Sequence, residues 1–67
     1  MLKMGKYKHY KGGIYTAIHT ARHTETDDWL VIYQSEGGQI WARPIEMWTE
    51  KVNVNGEWVS RFSYIGD

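Results

Sequence analysis

The chain has 67 residues, no cysteine, and a formal net charge of zero from 8 Lys and Arg against 8 Asp and Glu. Without thiols it can form neither a disulfide staple nor a zinc–thiolate site, and its balanced charge argues against a general nucleic-acid or membrane-surface binder. No apolar run approaches the length that spans a bilayer, and Met1 to Gly5 lacks the apolar core of a signal peptide, so a soluble, cytoplasmic domain is expected.

At this length one domain, residues 1–67, is expected, near the size where a hydrophobic core is marginal. Four Trp, five Tyr and one Phe must supply most of that core, because each ring buries a large apolar area. In chain order, a first short strand over Lys6 to Tyr10 is broken by Gly12-Gly13 and followed by a second, Ile14 to Arg22. His23 to Asp28 is polar and turn-forming. The run Trp29 to Gln34 is continuously apolar and rich in β-branched and aromatic residues, which predicts a central strand covered on both faces.

Gly37-Gly38 turns the chain into Gln39 to Arg43. Pro44 cannot donate to a ladder, so it ends that strand and starts a single helical turn with Ile45, Met47 and Trp48 on its apolar side. Val52-Asn53-Val54 alternates, and Asn55-Gly56 is a two-residue hairpin signal because both positions tolerate positive φ. Glu57 to Ile65 forms the last strand, offering Trp58, Phe62 and Tyr64 to the core. The fold class is all-β: five or six short strands and one helical turn, expected to close into a small SH3-like barrel because closure removes exposed edges.

Four motifs in order carry a resemblance. They are Gly5-x-Tyr7-x-His9-Tyr10-Lys11-Gly12, Ala21-Arg22-His23-x-Glu25, Trp41-x-Arg43-Pro44-x-x-Met47-Trp48 and Arg61-Phe62-x-Tyr64-Ile65. Together they resemble the small bacterial domain-of-unknown-function family 1653, over nearly the whole chain. This sequence departs from the family at Trp48, where Phe is usual, and in a shorter loop around Glu36 to Gln39. The resemblance implies an SH3-like β-barrel and implies no reaction, substrate or partner.

The chemistry is therefore read from the residues. His19, His23, Glu25, Asp27 and Asp28 suggest a metal site, but four residues along a strand advance ~13 Å, so His19 and His23 cannot share an ion. A structural zinc site without cysteine would need four His or carboxylate ligands, and no metal or other cofactor is expected. Ser35, Ser60 and Ser63 lack the strand-to-helix elbow of a catalytic serine, so no catalytic residue is assigned. His23 with Glu25 forms a possible oriented base, the basis for an alternative reading as a small hydrolase or transferase. The plainer account of that pair is a local hydrogen bond shaping the corner.

Lys3, Lys6, Lys8 and Lys11 interleave with Tyr7, His9 and Tyr10, and no acidic residue precedes Glu25. Lysines neutralise phosphates while tyrosines stack on bases, so Lys6, Tyr7, Lys8, Tyr10 and Lys11 form an alternative single-stranded RNA surface. An edge strand kept soluble by lysines explains the same pattern. A surface tryptophan near Arg43 and Pro44 would offer a platform for a peptide or a base.

The leading expectation is a non-enzymatic binding module for a small polar or anionic ligand, with a peptide as a further possible partner. In a meander, the second and fourth strands run in the same direction and end at one rim, ~10 Å apart. Arg22, His23 and Arg43 would meet there beside Glu25, with Arg61 approaching from the final strand. Two guanidinium groups and an imidazole in one cleft fork around a phosphate or carboxylate. Neutralisation by Glu25, Asp27 and Asp28 is the structural alternative.

Overall fold

The computed structural model describes residues 2–67. Its strands are β1 (Gly5–His9), β2 (Ile14–Arg22), β3 (Trp29–Ser35), β4 (Ile40–Pro44), β5 (Lys51–Val54), β6 (Glu57–Ser60) and β7 (Phe62–Gly66), with one helical turn, α1 (Ile45–Trp48). All strand pairs are antiparallel. They form a five-stranded sheet, order β4-β3-β2-β1-β7, and a separate two-stranded sheet of β5 and β6.

The expected closure does not form. β4 and β7 lie at opposite edges of the large sheet, while β5 and β6 pair only with each other. The chain leaves the sheet at Pro44 and returns at Phe62, so the strands counted toward a barrel are divided between two sheets. The concave face is covered by α1, which packs against β3 and β4 and drives Trp48 into the core.

That core is small: Tyr7, Ala17, Val31, Tyr33, Trp48 and Phe62 are buried, and Leu2, Met4, Tyr15 and Ile45 pack around them. Period-2 alternation selects them. Tyr7 on β1, Ala17 on β2, and Val31 and Tyr33 on β3 point inward because successive strand residues face opposite sides. A bulge at Ile18, between the pairs Ala17–Tyr33 and His19–Ile32, resets β2 so that Thr20 faces inward opposite Val31.

Several expectations change with this arrangement. β3 is central, but α1 covers only one of its faces, so Leu30, Ile32 and Gln34 are half-buried instead of enclosed. The predicted last strand splits at Arg61 into β6 and β7, giving seven strands among the described residues. The split turns Phe62 inward and leaves Trp58 and Tyr64 at the surface. Of the four tryptophans only Trp48 is core; Trp29, Trp41 and Trp58 are exposed, as is Met47. Tyr10, just beyond β1, also lies outside the core.

The local turn chemistry is as expected. Asn55 (φ 52°) and Gly56 (φ 86°) both take the positive φ of a type I′ turn, and the Asn53 side chain accepts the Gly56 N–H at 3.0 Å. Pro44 ends β4 and serves as the N-cap of α1, one position before the helix. No helix among the described residues is long and apolar enough to cross a membrane.

Candidate functional site

The meander that motivated the predicted rim is present, with β3 between β2 and β4. Its register is staggered: Arg22 opposes Trp29, whereas Arg43 opposes Val31, two residues further along β3. Arg22 is engaged locally. Its guanidinium lies 4.6 Å from the Trp29 ring and forms an exposed 2.9 Å ion pair with Asp27.

His23 shapes the corner. Its Nδ1 accepts the backbone N–H of Glu25 at 3.1 Å and of Thr26 at 3.3 Å. Its own backbone N–H donates to the Asp28 carbonyl, and the Asp27 N–H donates to the His23 carbonyl, both at 2.8 Å. Asp27 closes this turn with a φ of 65°. The Glu25 carboxylate accepts the Thr24 hydroxyl at 2.9 Å. An oriented base needs an imidazole N–H donating to a carboxylate, and the His23–Glu25 pair makes a backbone-to-ring bond instead.

The other two arginines lie elsewhere, Arg43 against the Phe62 ring and Arg61 immediately before Phe62 in the chain. The Arg43 guanidinium lies 5.6 Å from the Phe62 ring centre, and the His9 ring lies 4.9 Å away, edge-on. His9 opposes Phe62 across the β1–β7 ladder, next to Arg61 at the break between β6 and β7. Arg61 is fixed by its backbone, donating to the Glu50 carbonyl (3.1 Å) and accepting from the Tyr10 N–H (2.9 Å). Its Nη2 pairs with Glu50 Oε1 at 2.8 Å, while its Nε is buried without a hydrogen-bond partner among the described residues. Arg43 is half-buried and forms no ion pair among the described residues.

His9 completes this group. Its Nδ1 accepts the Lys11 N–H at 3.1 Å, which leaves the ring proton on Nε2. Partial burial pushes the imidazole below its ordinary pKa, and the positive charges of Arg43, Arg61 and Lys11 push it further down. A neutral Nε2–H donor therefore stands edge-on to the Phe62 ring that the Arg43 guanidinium also faces, within electrostatic reach of Arg61. The sequence grouped His9 with the lysines, although its alternation with Tyr7 already assigns it to the inner face.

The N-terminal stretch divides by the same alternation. Lys6 and Lys8 are exposed on one side; Tyr7 is buried on the other, its hydroxyl donating to the Lys3 carbonyl. Tyr7 is thus unavailable for base stacking. Tyr10 is half-exposed, with His9 on one side at 4.7 Å and the Lys11 ammonium 5.8 Å from its ring. Among the described residues, no three His, Asp or Glu side chains gather as metal ligands.

The family model for DUF1653, proteins of unknown function, matches residues 5–64. A crystal structure of a DUF1653 protein from Bordetella bronchiseptica superposes with a TM-score of 0.88 at 33% identity, covering 97% of this chain and 88% of that one. Comparison with curated proteins finds no match. All four motifs begin inside the matched span, and the chain belongs to the DUF1653 family.

Proposed function

We propose that the chain is a non-enzymatic binding module for a small anionic ligand, held by Arg43, Arg61 and His9 on an open, SH3-like arrangement of strands. The observation that carries this reading is the half-buried Arg43 guanidinium, without an acidic partner among the described residues, beside an Arg61 whose Nε lacks an acceptor. Guanidinium donors seek oxygen acceptors, and the Arg43 fork with an imidazole N–H suits the oxygens of a phosphate or a carboxylate, while Arg61, itself paired with Glu50, adds positive charge nearby. Arg22, His23 and Glu25, read from the sequence as part of the same cleft, serve in this proposal as the hydrogen-bonded corner between β2 and β3.

Shift mapping of isotope-labelled protein against inorganic phosphate and adenosine monophosphate tests the reading. Saturating shifts at His9, Arg43, Arg61 and Phe62, lost in Arg43→Ala while the melting temperature is kept, are the expected result. Shifts centred on Arg22 and His23, or no shift with either anion, would overturn the assignment.

A further inference from the structure

A concavity of about 390 Å³ opens between the outer face of the β1–β7 pair and the β5–β6 hairpin. Its volume lies near the lower end of small-molecule clefts, which run from ~300 to ~1,000 Å³. One wall is Lys8, Ser63 and Ile65. The Lys8–Ser63 pairing brings these side chains to the side of the sheet opposite buried Tyr7 and Phe62. Ile65 has no ladder partner, because the β1–β7 register slips between Lys6 and Tyr7.

The facing wall is the hairpin. Val52 pairs with Val59 and Val54 with Glu57, so these four residues share one hairpin face. Val54, Glu57 and Val59 of that face line the cleft. The walls stand apart: Val54 is 37% and Ile65 53% exposed, although both are apolar and face the same space. The hairpin is tied at its base, where Arg61 bonds Glu50 through both backbone and side chain.

Each wall also carries a charge of opposite sign. Lys8 projects from the sheet and Glu57 from the hairpin, and among the described residues neither forms an ion pair. We propose that this cleft binds a short zwitterionic peptide of two or three apolar residues. Its side chains lie against Val54, Val59 and Ile65, its carboxylate meets the Lys8 ammonium, and its α-ammonium meets the Glu57 carboxylate. A ligand with a single charge would leave Lys8 or Glu57 unanswered, and an uncharged apolar ligand would leave both. The complementarity thus selects free termini at both ends of an apolar body.

The experiment titrates the labelled protein with leucyl-leucine, its N-acetyl derivative and its C-terminal amide. Free leucyl-leucine is expected to shift the amides of β6 and β7, and each capped form is expected to bind about two- to fivefold more weakly, the loss of one solvent-exposed ion pair. Glu57→Gln should weaken the free dipeptide by a similar factor and leave the N-acetyl form unchanged; Lys8→Ala should do the same with respect to the amide. Both side chains are exposed, so neither change threatens the fold. Equal binding of free and capped forms, or shifts outside the cleft, overturns the proposal. His9 belongs to the proposed anion site and also lines this cleft, so Arg43→Ala separates the two: leucyl-leucine binding must survive that variant while the phosphate response is lost.

Discussion

The Trp48 and Phe62 rings lie parallel, 3.8 Å between centres and 4° from coplanar orientation, joining α1 to β7 across the concave face of the sheet. Tyr7 and Tyr33 meet Trp48 edge-on, at 5.2 and 4.9 Å. This aromatic cluster covers the face that strand closure would otherwise have enclosed. Its dominance follows from a core of six buried residues among those described, in which each ring is a large share of the apolar area removed from water.

The Trp48 indole N–H is buried without an acceptor among the described residues, which sets a difference between two substitutions. Trp48→Ala should lower stability by about 3–5 kcal/mol, the usual loss for a buried aromatic. Trp48→Phe should cost less than about 1.5 kcal/mol, because the unpaired donor it removes offsets part of the void it creates. Thermal or urea unfolding of both variants decides the matter. Equal losses would mean that a phenyl ring recovers none of the packing against Phe62 and that removing the unpaired N–H offsets nothing.

Two glycines separate backbone strain from steric collision. Gly56 has a φ of 86°, and a Cβ there would meet nothing within 4 Å, so Gly56→Ala should cost only the strain of a left-handed residue, about 1 kcal/mol. Gly5 has a φ of 129°, and its Cβ would lie 2.9 Å from the Gly66 carbonyl oxygen and 3.1 Å from the Tyr64 ring. Gly5→Ala should therefore destabilise more strongly, by more than about 2 kcal/mol. Should the melting temperatures fall in the reverse order, the close approach of β1 and β7 is misplaced.

The sequence carried the local elements well because its signals are local. Asn55-Gly56 specifies its turn by φ alone, and Pro44 stops a strand wherever it stands. What the pattern could not carry is which side of a strand finds a cover. The run Trp29 to Gln34 is apolar throughout, but α1 packs on only one face, so Val31 and Tyr33 are buried and Leu30 and Ile32 are not. Arg61 is the second case. It interrupts an apparently continuous strand because its backbone bonds reach both Glu50 and Tyr10, contacts 11 and 51 residues apart. Those long-range bonds fix Arg61 at the break before Phe62, while the β3–β4 register carries Arg43 to the Phe62 ring and away from Arg22, with which the meander topology alone had grouped both.

The Glu50–Arg61 link should govern the motion of the hairpin. With side chains 51% and 22% exposed, the ion pair is screened and contributes about 1 kcal/mol or less. Glu50→Gln should accordingly change the melting temperature little. It should speed amide exchange at Val52 and Val59 several-fold while Val31 and Tyr33 keep their protection. Uniform acceleration across the whole sheet would show that the hairpin opens only with global unfolding.

Single-stranded RNA is expected to bind weakly if at all. Lys6 and Lys8 are exposed, but of the two tyrosines read as stacking surfaces Tyr7 is buried and Tyr10 alone is exposed. Any affinity for an oligouridine should come from phosphate contacts and fall steeply between 20 and 200 mM salt, as counterion release requires. Tight binding that persists at the higher salt would restore the nucleic-acid reading and call for another stacking surface.

The last prediction concerns His9. Partial burial lowers its pKa first, and the nearby charges of Arg43, Arg61 and Lys11 lower it further. With the folded value below the unfolded one, the unfolded chain binds more protons in the interval between them, so stability rises with pH there. The contribution is complete above the ordinary imidazole range and is lost as pH falls through that range toward the folded value. A ring-proton titration by NMR should give a His9 midpoint below about 6.5. Arg43→Gln removes one repelling charge and should move that midpoint upward, and saturating inorganic phosphate should do the same in the native protein by screening both guanidinium groups. Phosphate acting in the native protein but not in Arg43→Gln would tie the shift to the anion site. A midpoint indifferent to both would leave burial as the whole cause and remove Arg43 from the neighbourhood of the imidazole.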